Sequence, residues 1–165
     1  MTLVTGRGAV RNAARIPMKV VVMKTRGFTL IELMIVVVII GILCAIGIPN
    51  FVRLTGNAKE ASVKENSHTV QLAAEDFSVQ SGGAYATDLS DVCPASGLTM
   101  IEMLPQSTNL TNPFTQAATE PIDGSAGNPG ETGYEPITDA SGTVIGYVIT
   151  GYGRGRTVTR LSNGQ

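Results

Sequence analysis

Apolar and polar positions divide the chain into three parts with different patterns. Residues 1–27 show no sustained helical or strand period and are read as a processing leader. Residues 28–48 are apolar and carry one charge, Glu32, in 21 positions. About 20 helical residues, rising about 1.5 Å each, cross a hydrocarbon core of about 30 Å. Residues 28–48 are therefore predicted to form a membrane-spanning helix.

Helix-compatible sequence continues through residues 49–81 with a different pattern. Val63, Val70 and Phe77 recur every seven residues, which is typical of one face of an amphipathic helix. We therefore expect residues 52–80 to pack on the C-terminal domain as one globular head. The following Ser81-Gly82-Gly83 is a good helix stop.

Gly47 and Pro49 lie near the middle of this long predicted helix. Proline lacks an N–H donor and clashes with the carbonyl of the preceding turn. A kink or local opening is therefore predicted at Gly47 and Pro49, close to the end of the apolar run.

The C-terminal part, residues 82–165, is rich in turn-forming residues. From Ser81 to Gln165 there are thirteen glycines and six prolines, which predicts loops around short strands. Strand patterns occur at Tyr134–Ile137, Val144–Tyr152 and Thr157–Leu161, separated by turn signals. The predicted fold is α+β, with a long N-terminal helix packed on a small three-stranded antiparallel sheet with long loops. Pro136 puts its strand at an edge or near a bulge.

Two weaker patterns precede these strands. Leu98–Leu104 is compatible with a short helix stopped by Pro105, and Gln106–Thr132 reads as a long polar loop. The resulting core is small, and neighbouring copies in an assembly would add to its stability.

The charges are distributed unevenly about Gly27. Six basic residues and no acid precede it, whereas six basic residues and all thirteen acids follow it, a net of −7. The positive-inside rule predicts that the N-terminus stays in the cytoplasm and that the C-terminal domain lies outside it. A nucleic-acid role is unlikely because the exported part has no basic excess.

Glu32 is unusual because a carboxylate within a spanning helix requires a partner. No basic residue lies between Phe28 and Val52. A cut between Gly27 and Phe28 would create an α-amino group four residues before Glu32. That amine is the predicted partner, within the same helix or from a neighbouring copy.

The stretch Lys24-Thr25-Arg26-Gly27-Phe28-Thr29-Leu30-Ile31-Glu32-Leu33 resembles the processing and methylation site of type IV pilins and of type II secretion pseudopilins. The resemblance covers residues 24–53, including Pro49. It implies a membrane prepilin peptidase that cuts after Gly27 and methylates the amine of Phe28. It also implies that Glu32 registers each subunit against its neighbour.

This resemblance implies a filament subunit without catalytic activity. The expected partners are other copies of the chain, the prepilin peptidase, an inner-membrane assembly platform with its ATPase, and membrane lipid before assembly. The expected location is the inner membrane, followed by a surface pilus or a periplasmic pseudopilus. We favour a pilin, with a major-type pseudopilin as the alternative.

Other readings of the N-terminal region stay open. Ala45-Ile46-Gly47 resembles a signal-peptidase site, which would make residues 1–47 a conventional signal peptide. A signal-anchored periplasmic enzyme or binding module is the hypothesis from another class. The true start is Met1, Met18 or Met23, and Met23 would give a five-residue leader.

Candidate chemistry in the C-terminal part is limited. The one histidine, His68, has no second ligand at metal-binding spacing and is expected to be solvated. Cys44 and Cys93 are not expected to pair, which departs from the disulfide of many type IV pilins. No cofactor is expected. Calcium is a weaker alternative, because a flexible acidic region offers hard oxygen ligands. Its four candidate ligands are Asp123, Glu131, Glu135 and Asp139.

Overall fold

The computed structural model describes residues 27–104 and 110–163. Contacts divide the chain after Gly41 into two units, and all the strands belong to the second. The elements in chain order are α1 (Leu30–Gln80), β1 (Leu110–Thr111), β2 (Ala118–Thr119), β3 (Ile122–Asp123), β4 (Thr132–Thr138), β5 (Val144–Tyr152) and β6 (Thr157–Ser162).

The long helix confirms the predicted stop and the predicted buried face. It ends at Gln80, and Gly82 and Gly83 follow with positive φ angles of 70° and 99°. The Gly83 N–H donates to the Ser78 carbonyl, which satisfies one of the last helical acceptors. Val63, Val70 and Phe77 are all buried, as their seven-residue spacing predicts; they are joined by Ser67, Ala73, Ala74 and Ser78.

The helix is continuous through Gly47 and Pro49, with Pro49 inside it. The kink expected at these residues stays a prediction. The division of the chain into a leader, a spanning segment and a globular head likewise stays a prediction.

The prediction of a three-stranded antiparallel sheet is wrong in the number of strands and in the direction of one of them. Strands β4, β5 and β6 do form the antiparallel meander, but β3 adds to it in parallel beside β4. The sheet is therefore four-stranded and mixed, with the order β3-β4-β5-β6, and β1 and β2 form a separate antiparallel pair. A two-residue strand is too short to show an alternating pattern, which explains why β3 was not predicted.

Pro136 lies where a strand proline is tolerated. Only Gly133 and Tyr134 of β4 pair with β3, so no described strand pairs with the edge of β4 next to Pro136. The register between β4 and β5 shifts between Ile137 and Thr138, immediately after the proline. Pro136 has no N–H, and on the unpaired edge of β4 this costs no hydrogen bond to a neighbouring strand.

The two weaker predictions between α1 and β4 are wrong. Leu98–Leu104 forms turns, because Thr99 pairs with Val92 in a β-bridge and only one turn of chain remains before Pro105. The stretch Gln106–Thr132 is not a continuous loop: its described part contains β1, β2 and β3.

The core of the second unit lies between α1 and the inner face of the sheet. Two fully buried tyrosines, Tyr134 and Tyr147, lie in this core and stack at a ring-centroid distance of 5.9 Å. The partly buried Tyr85 packs against them and contacts Tyr147 edge-on at 5.2 Å. The Tyr134 hydroxyl donates to the Ala86 carbonyl over 2.8 Å. The Tyr147 hydroxyl donates to the Glu75 carboxylate of α1. These bonds satisfy the polar ends of two fully buried rings.

Candidate processing and assembly site

The Gly27–Phe28 bond lies outside regular structure, just before α1. Residues 27–29 are non-helical and exposed, and the Phe28 ring is 82% exposed. A Cβ added to Gly27 would have no atom within 4 Å. Among the described residues, the bond is therefore accessible without unfolding of the helix. The basic residues Lys24 and Arg26 of the motif lie outside the described residues.

Thr29 and Glu32 close the first turn of α1 with reciprocal hydrogen bonds. The Thr29 N–H and hydroxyl donate to Glu32 Oε2 over 2.9 and 2.8 Å. The Glu32 N–H donates back to Thr29 Oγ1 over 3.2 Å. This is a capping box, in which a threonine N-cap and a glutamate three residues later satisfy each other's free donors.

Thr29 was not among the predicted site residues, although its signature is present in the sequence. A Thr-x-x-Glu pattern just before an apolar run is the standard mark of a capping box. The structure thus gives Glu32 an intramolecular role, and its role between subunits stays a prediction. Both bonds from Thr29 go to Oε2, and among the described residues Oε1 accepts no hydrogen bond.

The apolar run after the capping box is not covered by any residue that the structure describes. Every large apolar side chain from Phe28 to Leu54 is exposed, and no residue from Leu33 to Val52 is charged. An 18-residue window of α1 is long and apolar enough to cross a membrane by length and composition. This surface requires an apolar environment, either lipid or protein.

The four weak calcium candidates do not come together as a site. Glu131 accepts the backbone N–H groups of Gly127 and Asn128, and Asp139 accepts those of Ser141 and Thr143. Asp123 accepts the N–H of Leu89 over 2.9 Å, and Glu135 is exposed on β4. Within residues 27–104 and 110–163, no three His, Cys, Asp or Glu side chains group in a way that could hold a metal.

The hydrogen bonds of these acids have a turn-stabilising role. The side-chain bond from Ser141 is the main cause that lowers the pKa of Asp139, and the side-chain bond from Asn128 lowers the pKa of Glu131. Each carboxylate is therefore held in its charged form by the loop that it closes.

The histidine and the two cysteines are not part of a described metal site. His68 is exposed, with Nδ1 3.1 Å from Gln71 Oε1. Cys44 is exposed on the apolar helix, whereas Cys93 is buried, and both are free thiols. The hydrogen bond from Ser96 is the main cause that lowers the pKa of Cys93 to about 7.

Comparison with known proteins bears on the same N-terminal region. The family model of the prokaryotic N-terminal methylation motif matches residues 22–48. Over 98 residues, the chain is 40% identical to the type IV narrow pilus major component PilA5 of Thermus thermophilus, an alignment that covers 59% of this chain and 84% of that protein. The chain belongs to the type IV pilin family.

A second pilin supports the assignment over a shorter stretch of the chain. Over 54 residues, this pilin is 52% identical to the type IV major pilin protein PilA of Myxococcus xanthus, which covers 33% of this chain and 24% of that protein. No solved structure matches the pilin. Both relatives are structural pilins, so the protein is a pilin subunit and the pseudopilin alternative is not favoured.

Proposed function

We propose that this pilin is made as an inner-membrane precursor and is cut between Gly27 and Phe28 by a prepilin peptidase. The new Phe28 amine is then methylated, and an assembly platform with its ATPase adds the subunit to a type IV pilus. The filament consists of copies of this chain, packed through residues 28–48. The single observation that carries the proposal is an exposed, non-helical Gly27–Phe28 bond directly before a capped apolar helix in a member of this family.

The exposed apolar surface of α1 supports the proposal that lipid and then other subunits cover this helix. Leu30 and Ile46 are 78% and 72% exposed, and the run between them offers no polar face to water. Lipid covers this surface before assembly, and the helices of other copies cover it afterwards. Burial of apolar surface is favourable by about 25 cal/mol per Å², and dispersion contacts between packed helices add to it.

The position of Glu32 supports pairing between subunits. A carboxylate in an apolar filament interior is costly unless it meets a charge or strong donors. The Phe28 amine is the cation that the cut itself creates, and Oε1 of Glu32 is available to accept it while Oε2 stays bonded to Thr29. Pairing with the amine of a neighbouring copy would fix the axial position of each added subunit.

The uneven distribution of charge along the chain supports the proposed orientation of the pilin in the membrane. The six basic residues before Gly27 favour a cytoplasmic leader, which places the C-terminal domain outside the cytoplasm. In this orientation the pilin is single-pass before assembly and reaches the cell surface as part of the pilus. PilA5 of T. thermophilus, named as the major component of a narrow pilus, supports a filament built mainly of one subunit.

A substitution at the cut tests this proposal. Gly27→Val puts a branched side chain next to the bond, at a position where an added Cβ meets no described atom within 4 Å. The uncut precursor should then accumulate in the membrane fraction, and sheared filaments should be absent. Gly127→Ala is a matched control, since an added Cβ there also has no atom within 4 Å. Filaments built from uncut Gly27→Val subunits would contradict the proposal.

A further inference from the structure

The basic residues after Gly27 are confined to two short segments of the chain. Residues 53–64 and 154–160 together hold all six, with one acid, Glu60, for a net charge of +5. Residues 65–153 hold no lysine or arginine and eleven acids, a net of −11. The exported domain therefore has one basic region and a strongly acidic remainder.

The fold brings the two basic segments together. Arg156 Nη2 lies 3.5 Å from Glu60 Oε2 on α1. Arg154 Nη2 lies 3.9 Å from the position that a Cβ on Gly56 would take. The turn between β5 and β6 therefore contacts α1 about two to three turns after the apolar run. We define the basic patch as the exposed side chains of Arg53, Arg154 and Arg156.

The basic patch begins at the height of lipid headgroups when residues 28–48 span a membrane. Arg53 is five residues beyond Ile48, or about 8 Å along the helix. Gly56, next to Arg154, is about 12 Å beyond Ile48, and Glu60, the partner of Arg156, is about 18 Å beyond it. Each polar layer of a bilayer is about 5–8 Å thick, and charges act over a screening length of about 8 Å at physiological salt. Long arginine side chains can reach toward that layer.

Exposed apolar side chains flank the first arginine of the basic patch. Phe51, Val52 and Leu54 surround Arg53 in the sequence and are 67%, 50% and 57% exposed. A mixture of exposed apolar and basic side chains is typical of surfaces that lie in the membrane interface. An acidic protein surface would match the arginines but would leave these apolar groups in water.

We propose that the basic patch binds the anionic headgroups of phospholipids in the membrane that holds the unassembled pilin. The inference rests on the proposed anchoring through residues 28–48. The acidic remainder of the domain is repelled from the same surface. The two effects together hold the β5–β6 turn against the membrane, and extraction of a subunit must break this contact. Glu60 weakens it by partly neutralising Arg156, whose side chain is nevertheless 77% exposed.

Arginine modification in nanodiscs tests this contact in the full chain. The pilin is reconstituted in discs of neutral phosphatidylcholine or of a mixture with phosphatidylglycerol, and the rate of phenylglyoxal modification of each arginine is followed by mass spectrometry. Arg53, Arg154 and Arg156 should each react about fivefold more slowly in the anionic discs, and high salt should abolish the difference. Arg160, exposed further along β6, is the internal control and should change little.

Two variants separate lipid binding from other sources of protection. Arg154→Gln with Arg156→Gln should restore the reactivity of Arg53 in anionic discs, and Glu60→Gln should increase the protection of Arg156. Equal rates in both disc types would overturn the inference while leaving the proposed anchoring intact. Protection that follows pilin density instead of lipid charge would overturn it in favour of a second copy. A chain that does not co-purify with the discs would overturn both proposals.

Discussion

Thr29 and Glu32 satisfy each other at the start of α1, with three hydrogen bonds of 2.8–3.2 Å. The carboxylate is therefore oriented by its own helix before any neighbour arrives. Because both Thr29 donors bond to Oε2, the second oxygen is left for the proposed bond from the Phe28 amine of another copy. The capping box and the proposed subunit contact can coexist on one side chain.

Thr29→Val tests the orienting role of the capping box. The variant keeps the glutamate but removes the hydroxyl, which should cost the helix start about 1 kcal/mol. We expect normal membrane insertion and a reduced yield of sheared filaments, because the carboxylate is less well held. Thr29→Ser retains the hydroxyl and should restore the yield. An unchanged yield from Thr29→Val would show that orientation of Glu32 does not limit assembly.

Glu32→Gln and Glu32→Ala separate charge from capping. The amide oxygen of glutamine can still accept from Thr29, whereas alanine removes the acceptor. We expect both variants to insert in the membrane and both to lose filaments, since neither supplies a negative charge for the amine. Filament yield by shearing and membrane content by fractionation are the measurements. Normal yield from Glu32→Gln would refute the ionic pairing.

Gly133→Ala tests the junction of β3 and β4. A Cβ on Gly133 would come within 2.1 Å of the Gly124 carbonyl oxygen and 2.6 Å of the Ala126 nitrogen, both backbone atoms. Because backbone cannot move aside as a side chain can, the free energy of unfolding should fall by about 1–3 kcal/mol or more. Thermal unfolding of the detergent-solubilised pilin measures it, with Gly127→Ala as the neutral control. Equal unfolding temperatures would contradict this packing.

Tyr134 and Tyr147 make the stability of the domain sensitive to high pH. Burial is the main cause that raises the pKa of both hydroxyls, and for Tyr147 the hydrogen bond to Glu75 adds to it. A raised folded-state pKa means that the stabilisation is fully present below about pH 10, the ordinary value. It is then lost as the pH rises above 10 toward the folded-state value.

Tyr147→Phe should therefore lower the free energy of unfolding by about 1 kcal/mol at neutral pH, because the bond to Glu75 is lost. The same variant should make the alkaline decline shallower. Unfolding curves measured across pH test both effects, and the acid side of the profile is the internal control. A decline as steep as that of the native chain would exclude Tyr147 as a source of the alkaline sensitivity.

The sequence predicted those features that depend on repeated spacing. Val63, Val70 and Phe77 mark the buried face of α1 because a seven-residue repeat returns to one side of a helix. The meander of β4, β5 and β6 was predictable from turn signals between alternating segments. By contrast, β3 joins the sheet through two residues, and the turns at Leu98–Leu104 depend on a bridge to Val92. Local patterns do not contain such long-range pairings.

The site was partly predictable for a similar reason. Glu32 stands out as a lone charge in an apolar run, and Thr29 could have been found by its distance of three residues from it. The proximity of Gly56 and Arg154 could not have been predicted from local sequence, since almost one hundred residues separate them in the chain.

The N-terminal mass of the subunit in sheared filaments tests the central claim most directly. Our account predicts a chain that begins at Phe28, heavier by one methyl group on its amine, with residues 1–27 absent. A chain that retains the leader, or that begins near Ile48 after a signal-peptidase cut, would lack the amine that Glu32 requires. Either of these results would contradict the proposed processing and the subunit contact built on it.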